Sequence, residues 1–596
     1  MDKKWVFLPS NRKLQEEIAS SLHISPITAQ LIINRGITDV STAKSFLQPQ
    51  LSTLGDPMLL PDMDKAAKRI VEAVRNGEKI TVYGDYDADG VSATALMVLC
   101  LNFIGANVQY YIPERIEEGY GLNRDAILRL KSDGTSIIIT VDCGINSYQE
   151  ARTAQLSGID LIITDHHEPG AEIPDAFAII NPKLTHRLSP IPHFPSPITH
   201  LSGVGVAFKL AWAIGQHLSL QKRVSPEFRD FLTNALGLVA LGTISDVVPL
   251  YGENRILTRH GLEYLQHCDS PGIKALIEVA DLCGSSIESS HVGYRLGPRL
   301  NVAGRIDSAG ICVELLTTKC ENRAREIAKI LDNKNKKRQE IQQAIAESVR
   351  EKIEKEIDMA MAHVIILSDE SWHPGVVGIV ASKVAEEFNR PTIIIAVDGQ
   401  LGHGSARSYI PSFHLFKALE LCRERLITFG GHARAAGLKI LRHEIDEFKA
   451  LMNATALQLL QKDDFIPTLQ IDAEVKLNSL SKPLMDEFAR LYPHGEGNPL
   501  PLFAATNVKI VGQPRRVGAQ GQHLSFYVRQ GDTTFKAIAF GMGEEFECGM
   551  RNAECGINGK LYSIAFTPKL NNWMEQEGIE LEVKDIKFAP ASPPLV

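Results

Sequence analysis

Residues 79 to 89 read KITVYGDYDAD, an apolar run that stops at Gly84 and delivers Asp85, Asp87 and Asp89, with Gly90 directly behind. On an extended chain the three carboxylates share one face, and in a turn they fan around one point. Either way they crowd. Like charges this close take up protons or move apart unless a cation lies among them, each pKa unit representing about 1.4 kcal/mol. A bound divalent metal relieves that repulsion; for this stretch alone a solvated Asp-rich turn is the alternative reading.

Other stretches repeat the pattern. SIIITVDCG (136–144) carries Asp142 to the end of a β-branched run, and DLIITDHH (160–167) does the same for Asp165, His166 and His167. Continuous apolar strands belong to buried parallel sheets, which place ligands at their carboxyl ends. LGLVALGTISDVVP (236–249) puts Asp246 behind another apolar run and reads as a fourth repeat. A lone Asp is usually a cap, and a lone His pair usually surface or satisfied core. Four such ends together point to a metal.

The elements around them must come from a long chain. Its 596 residues exceed the reach of one core, and 44% hydrophobic with 22% charged residues is ordinary globular composition. A net charge of −8 excludes a protein that coats nucleic acid by bulk charge, so any polyanion must meet a local basic groove or a bound metal. The nine cysteines form no CxxC pair, the opening MDKKWVFLPSNRK has too short an apolar run for a signal peptide, and no stretch approaches 18 apolar residues. The expectation is a reduced, cytoplasmic chain with no membrane span.

In order, residues 1–50 read as a small helical cap, with Ser25 and Thr38 at helix N-caps. Residues 51–315 form one domain, in which strand and helix alternate around the acidic ends to about residue 250. Within them, Arg115 and the turn Gly119-Tyr120-Gly121 suit a phosphate cleft, and 291–310 (HVGYRLGPRLNVAGRIDSAG) reads as a loop whose Arg295, Arg299 and Arg305 suit phosphate oxygens. Residues 316–360 are a connecting helix, with an apolar stripe at Ile341, Ile345, Val349, Ile353 and Ile357 and a basic, solvated cluster at Lys334, Lys336, Lys337 and Arg338. Residues 361–464 form a second α/β unit with two loops, GHGSARS (402–408) and FGGHARAAG (429–437), able to grip a terminal phosphate. Short alternating runs over 465–590 fit a small barrel of the oligonucleotide-binding kind, with Phe526, Tyr527, Phe540, Arg515, Arg516 and Lys536 as candidate strand contacts.

Taken together, GDYDADG (84–90), PERIEEGYGL (113–122), VDCG (141–144), DHH (165–167), LGTISDVVPL (241–250), GPRLNVAGR (297–305), WHPGVVGIVASK (372–383), GSARS (404–408) and FGGHARAAGL (429–438) resemble the DHH phosphoesterase superfamily, in its branch of single-strand-specific exonucleases. The resemblance implies an α/β fold: a parallel-sheet DHH domain, a DHHA1-type α/β domain joined by a long helix, and a C-terminal OB-fold barrel. It implies 5′-to-3′ removal of mononucleotides from single-stranded DNA in recombination and repair, with two Mn²⁺ or Mg²⁺ ions. Asp85, Asp87, Asp142, His166 and Asp246 look like the metal set, and Asp89 and His167 support it. Arg115, Arg299, Arg305, Ser405, Arg407 and His432 look like substrate contacts. A single-strand-binding protein and a helicase are the implied partners of a monomeric chain. Tyr83 stands where some relatives place a His, and His403 where a Lys is common. Two rival readings are a phosphodiesterase for short oligonucleotides or cyclic dinucleotides, which the barrel argues against, and a non-catalytic replication scaffold, which the intact acidic set argues against. The barrel is expected to guide the strand, so that truncation after about 465 weakens binding more than the chemical step.

Overall fold

Five parallel strands carry the acidic stretches, in the order Asn107–Tyr111, Lys79–Gly84, Thr135–Val141, Asp160–Thr164, Ala178–Ile180. The structure, a computed structural model, describes residues 3–114, 118–184, 200–306, 308–543, 561–571 and 578–588. Arg115, the Pro-rich connection at 188–197 and the tail PASPPLV lie outside them. Alternation along Lys79–Gly84 sends Ile80 and Val82 to one side, where they meet the helices Met63–Arg75, Ala88–Phe103, Gly203–Ser219 and Pro226–Ser245. Tyr83 goes to the other, against Ile127 and Ala151 of Arg124–Ser132 and Tyr148–Leu156.

Two sequence readings fail here. The 236–249 run is not a further strand end: it closes the 20-residue helix Pro226–Ser245, with Asp246 as its C-cap. From Ala235 to Thr243 that helix is buried all round, so this stretch shows no polar face and mimics a buried strand. The 291–310 segment is likewise helical rather than a loop, with a π-helical turn at Val292–Leu296 followed by Gly297–Asn301 and Ala303–Ile306. Val292, Leu296, Leu300 and Ala303 recur at helical spacing and are buried, while Pro298 occupies a first turn that tolerates it.

The helix Glu321–Glu356 runs 36 residues, about 54 Å at 1.5 Å per residue. Its later part lays Ile345, Val349 and Ile353 against the second sheet, in the order Thr428–Gly431, Ala435–Leu441, Leu401–Arg407, Thr392–Asp398, Ile365–Asp369. Arg338 is buried, not solvated, its fork held by Asn335 and Gln342. Both glycine-rich segments read as loops are mostly strand. A Cβ at Gly404 would lie 2.6 Å from Leu438, so the glycines let neighbouring strands close up.

The last sheet closes on itself: Phe503–Val517, His523–Gln530, Thr533–Ala539, Gly578–Phe588 and Tyr562–Asn571, which pairs back to the first. The amino-terminal helices Arg12–Leu22, Pro26–Asn34 and Val40–Leu47 share this barrel's core, through Ile18, Leu31 and Phe46. Ser25 caps the second of them, while Asp39, not Thr38, caps the third. Lys4–Phe7 also pairs in parallel with Thr468–Ile471, a long-range contact that no local pattern reveals.

The barrel and the body built on the parallel sheet are stapled together. Arg255 donates to the carbonyls of Phe46, Arg490, Tyr492 and Pro493, and its guanidinium lies 3.8 Å over the Phe46 ring. Cutting the chain at 465 therefore removes part of that body's support along with the barrel.

Within that body, Lys209 and Glu253 form a fully buried pair at 2.6 Å, and both bond the backbone of Gly55. Removing one partner strands a buried charge, so Lys209→Met is expected to lower the stability of this body by about 3–5 kcal/mol in urea unfolding. A loss below about 1 kcal/mol would show that the pair is not the pin described.

Candidate metal centre

Register brings the site together. Gly84, Val141 and Thr164 stand level on three adjacent strands, so the next residues, Asp85, Asp142 and Asp165, leave the sheet at the same height. Asp87 turns the chain: its Oδ1 accepts from the backbone N–H of Asp89 (2.9 Å) and Gly90 (3.0 Å), capping Ala88–Phe103. Asp246 arrives from the neighbouring helix. Donor atoms fall into three groups that each lie within 4.8 Å: Asp85, Asp87 and Asp142; Asp142, His166 and His167; Asp89, His166 and Asp246. Asp142 and His166 each belong to two of them.

Electrostatics fit a cation. His166 Nε2 lies 3.0 Å from Asp142 Oδ1, 3.5 Å from Asp246 Oδ2 and 4.0 Å from Asp89 Oδ2. Burial, helped by His167, drives the His166 pKa down to about 3, so the ring is neutral. Both His166 Nε2 and Asp142 Oδ1 are buried without a hydrogen-bond partner. A ring nitrogen and a carboxylate oxygen facing each other at that distance suit two ligands of one ion. Burial first, then neighbouring carboxylates, push Asp142 and Asp246 well up and Asp89 up to about 7.

The remaining residues take different parts. Asp89 accepts from the backbone N–H of Gly203 (2.7 Å) and Val204 (2.9 Å), tying the site to Gly203–Ser219. Gly203 is obligatory, since a Cβ there would run into Asp142 Oδ1. Asp165 faces inward as a brace, accepting from the N–H of Ile145, His166 and His167 and meeting His167 Nδ1 at 2.8 Å. Burial alone would lower the His167 pKa, but the bond to Asp165 and the surrounding carboxylates raise it to about 9.

The structure gives parts to residues outside the expected metal and substrate sets. Tyr120 reaches the Asp142 carbonyl (3.3 Å) and His167 Nδ1 (3.1 Å), and its ring meets Tyr86 edge-on. Asn301 receives the Ala88 N–H at 2.7 Å. Tyr83 is turned away from the acids, its hydroxyl donating to the Gly121 carbonyl at 3.1 Å and so pinning the Tyr120 turn. A hydroxyl-to-carbonyl bond of this kind leaves no local sequence signal.

The proposed substrate contacts divide. Arg299 donates to Asp332 and to the carbonyls of Arg295 and Val279, which occupy its fork inside the fold. Arg305 bonds the Gly375 carbonyl at 3.2 Å, while neighbouring Gly304 packs on Tyr86, so this segment bridges the acidic cluster and the second sheet domain. There Ser405 and Arg407 sit on one strand face, 3.0 Å apart, against Gly378 in the first turn of Val377–Phe388. His403 shares that face, opposite Lys439. His432 is exposed in the adjoining hairpin turn. In the barrel Phe526 is core, whereas Tyr527 and Phe540 are half exposed. The seven described cysteines are free, and among the described residues no helix is long and apolar enough to cross a membrane.

Comparison with known proteins agrees with this layout. The DHH family, N-terminal domain matches residues 79–243, the DHHA1 domain 358–458 and the RecJ OB domain 471–585. The chain is 38% identical to the single-stranded-DNA-specific exonuclease RecJ of Escherichia coli K12, over 89% of this chain and 91% of that one. For the same enzyme of Salmonella typhimurium identity is 34%, over 96% and 98%. Bacillus subtilis RecJ is 36% identical, over 98% of this chain and 70% of that one. The crystal structure of RecJ in complex with Mn²⁺ from Thermus thermophilus superposes with a TM-score of 0.81 at 29% identity, over 99% of this chain and 80% of that one. The Mg²⁺ complex gives 0.76 at 28%, over 99% and 79%.

The charge arrangement sets a pH dependence. Without metal, Asp89, Asp142 and Asp246 hold protons more tightly folded than unfolded, so the folded chain binds the excess protons and loses stability as pH rises. The raised His167 adds loss in the same direction, toward about 9. Above about pH 6.5 His166 is neutral in both states and no longer opposes the trend. The metal-free Tm is therefore expected to fall between about pH 6.5 and 8, and Mn²⁺ at roughly 100 times its Kd to add about 2.7 kcal/mol, read by calorimetry. A Tm indifferent to Mn²⁺ would contradict the metal centre.

Proposed function

The chain belongs to the RecJ family of single-stranded-DNA-specific exonucleases, and from that premise we propose how its parts divide the work. It hydrolyses phosphodiester bonds of single-stranded DNA, with Mn²⁺ or Mg²⁺ as cofactor. One observation carries the assignment of the site: Asp142 Oδ1 and His166 Nε2, buried and unbonded, 3.0 Å apart between flanking carboxylates. Asp85, Asp87 and Asp142 would hold one ion, and Asp142, His166 and Asp246 a second. When bound, such ions act as Lewis acids on the phosphate and lower the pKa of water at the site.

The chain's own residues do the rest. Asp89 fixes the Gly203 turn against the ligands, and Asp165 fixes His167 with its Nε2 turned away from the bond. Ser405, Arg407 and the first turn of Val377–Phe388 offer hydroxyl, guanidinium and helix-terminus donors to a terminal phosphate across from the acids. His432 at the adjoining turn and Arg305 at the bridge between the two domains border that path. Tyr527 and Phe540 are half exposed on the barrel, Phe540 edge-on to His523, with Arg515 and Arg516 exposed and Lys536 paired to Glu580 at 2.7 Å.

Digestion from the 5′ end, release of mononucleotides and service in DNA recombination and repair complete the proposal. So do a cytoplasmic, monomeric chain fed by a single-strand-binding protein and a helicase, and domains at 1–50, 51–315, 316–360, 361–464 and 465–590. The barrel, an added surface for a long strand, disfavours a dinucleotide phosphodiesterase, and the complete acidic set disfavours a scaffold.

A time course on single strands labelled at either end, with and without a 5′ phosphate, tests direction: early loss of a 5′ label as a mononucleotide is expected, and early loss of a 3′ label would overturn it. Asp142→Asn should reduce kcat by at least ~100-fold in a chain of unchanged circular dichroism. Tyr527→Ala should weaken single-strand binding by about 1–3 kcal/mol while kcat is retained; equal affinity would remove the barrel face from the substrate path.

A further inference from the structure

Asp246 is a metal ligand with a partly open carboxylate: it is a quarter exposed, whereas that of Asp142 is almost wholly buried. Its aim therefore depends on the backbone leaving the helix. That backbone is strained. Val247 adopts φ +59°, a left-handed conformation that a β-branched residue rarely accepts, and it lies exposed to solvent. Such a turn persists only where its far end is fixed.

The far end is fixed by the segment that leads into the barrel. Leu250 N–H donates to the Glu496 carbonyl at 2.9 Å, and the Tyr251 hydroxyl donates to the Gly497 carbonyl at 2.6 Å. Asn254 holds the Pro249 carbonyl at 3.1 Å. Contact is close enough to need glycine: a Cβ on Gly495 would lie 2.7 Å from Leu250, and one on Gly497, at φ +73°, would lie 2.8 Å from the Tyr251 ring. This segment is itself rigid. Asn498 donates to the carbonyls of Leu491 (2.7 Å) and Pro493 (2.8 Å), Arg255 grips Arg490, Tyr492 and Pro493, and Ser289 bonds the His494 carbonyl.

We propose that Tyr251 and Gly497 are positioning residues for Asp246, so that the linker to the barrel sets how tightly the catalytic body holds its metal. Neither residue touches the ligands. They hold the turn that starts at Asp246, and loosening them lets Val247 relax and the carboxylate swing. The proposal rests on Asp246 being a ligand and deepens that reading: the barrel's attachment is part of the metal site.

The test uses the full chain, with Mn²⁺ alone as the probe, read as free-ion signal by electron paramagnetic resonance without DNA. Tyr251→Phe, which keeps the ring, and Gly497→Ala should each weaken Mn²⁺ binding by roughly 10-fold. In activity assays the Mn²⁺ half-saturation should shift by the same factor, with KM for a single strand at saturating Mn²⁺ and strand affinity in EDTA unchanged. Tyr251→Phe decides the matter if Gly497→Ala does not fold. Wild-type Mn²⁺ affinity in Tyr251→Phe overturns the proposal, as does lost strand affinity with metal binding intact, which would make the contact a barrel anchor alone. A wild-type chain that binds no Mn²⁺ would instead sink the reading of Asp246 as a ligand.

Discussion

Several carboxylates stand within a few ångströms of one another at the edge of a buried sheet, and this crowding is the constraint the rest of the structure answers to. Desolvation and mutual repulsion both oppose ionisation there, as the raised Asp89, Asp142 and Asp246 show. A neutral His166 aimed at the same point cannot offset it. A folded chain keeps such an arrangement only when a cation completes it or when protons are taken up, and the second outcome would leave no chemistry.

Much of the architecture follows from holding those acids level. Three parallel strands share one register, so a slip in any of them would move its acid out of the cluster. Helix termini supply the rest: Asp87 caps one helix, Asp246 ends another, and Asp89 is fixed by the amides that open a third. The second sheet domain comes in through Gly304, Arg305 and Gly375, and the barrel through Arg255 and Tyr251. Each appended unit thus touches an element next to the acids.

The strand ends were legible in the sequence because buried parallel strands are short, continuous and apolar, and because Asp85, Asp142 and Asp165 break those runs abruptly. The Asp246 element was not, since Leu236 to Ile244 is apolar on all sides and a fully buried helix has no period to read. The Gly402–Ser408 and Phe429–Gly437 segments looked like loops because glycine usually marks turns, whereas both are mostly strand, and Gly402 and Gly404 make room for Ile395 and Leu438 of the neighbouring strands. Alternation alone could not say that Phe526 faces in and Tyr527 out. The pairing of Lys4–Phe7 with residues 468–471, and the bracing of Asp246 by Tyr251 and Gly497, join parts of the chain hundreds of residues apart.

Anomalous diffraction from crystals of the full chain grown with Mn²⁺ tests the central claim most directly. The account predicts anomalous peaks within ligand distance of Asp85, Asp87, Asp142, His166 and Asp246, with Asp142 shared between two of them. Clear density for those side chains, dispersed and with no anomalous signal among them, would contradict it.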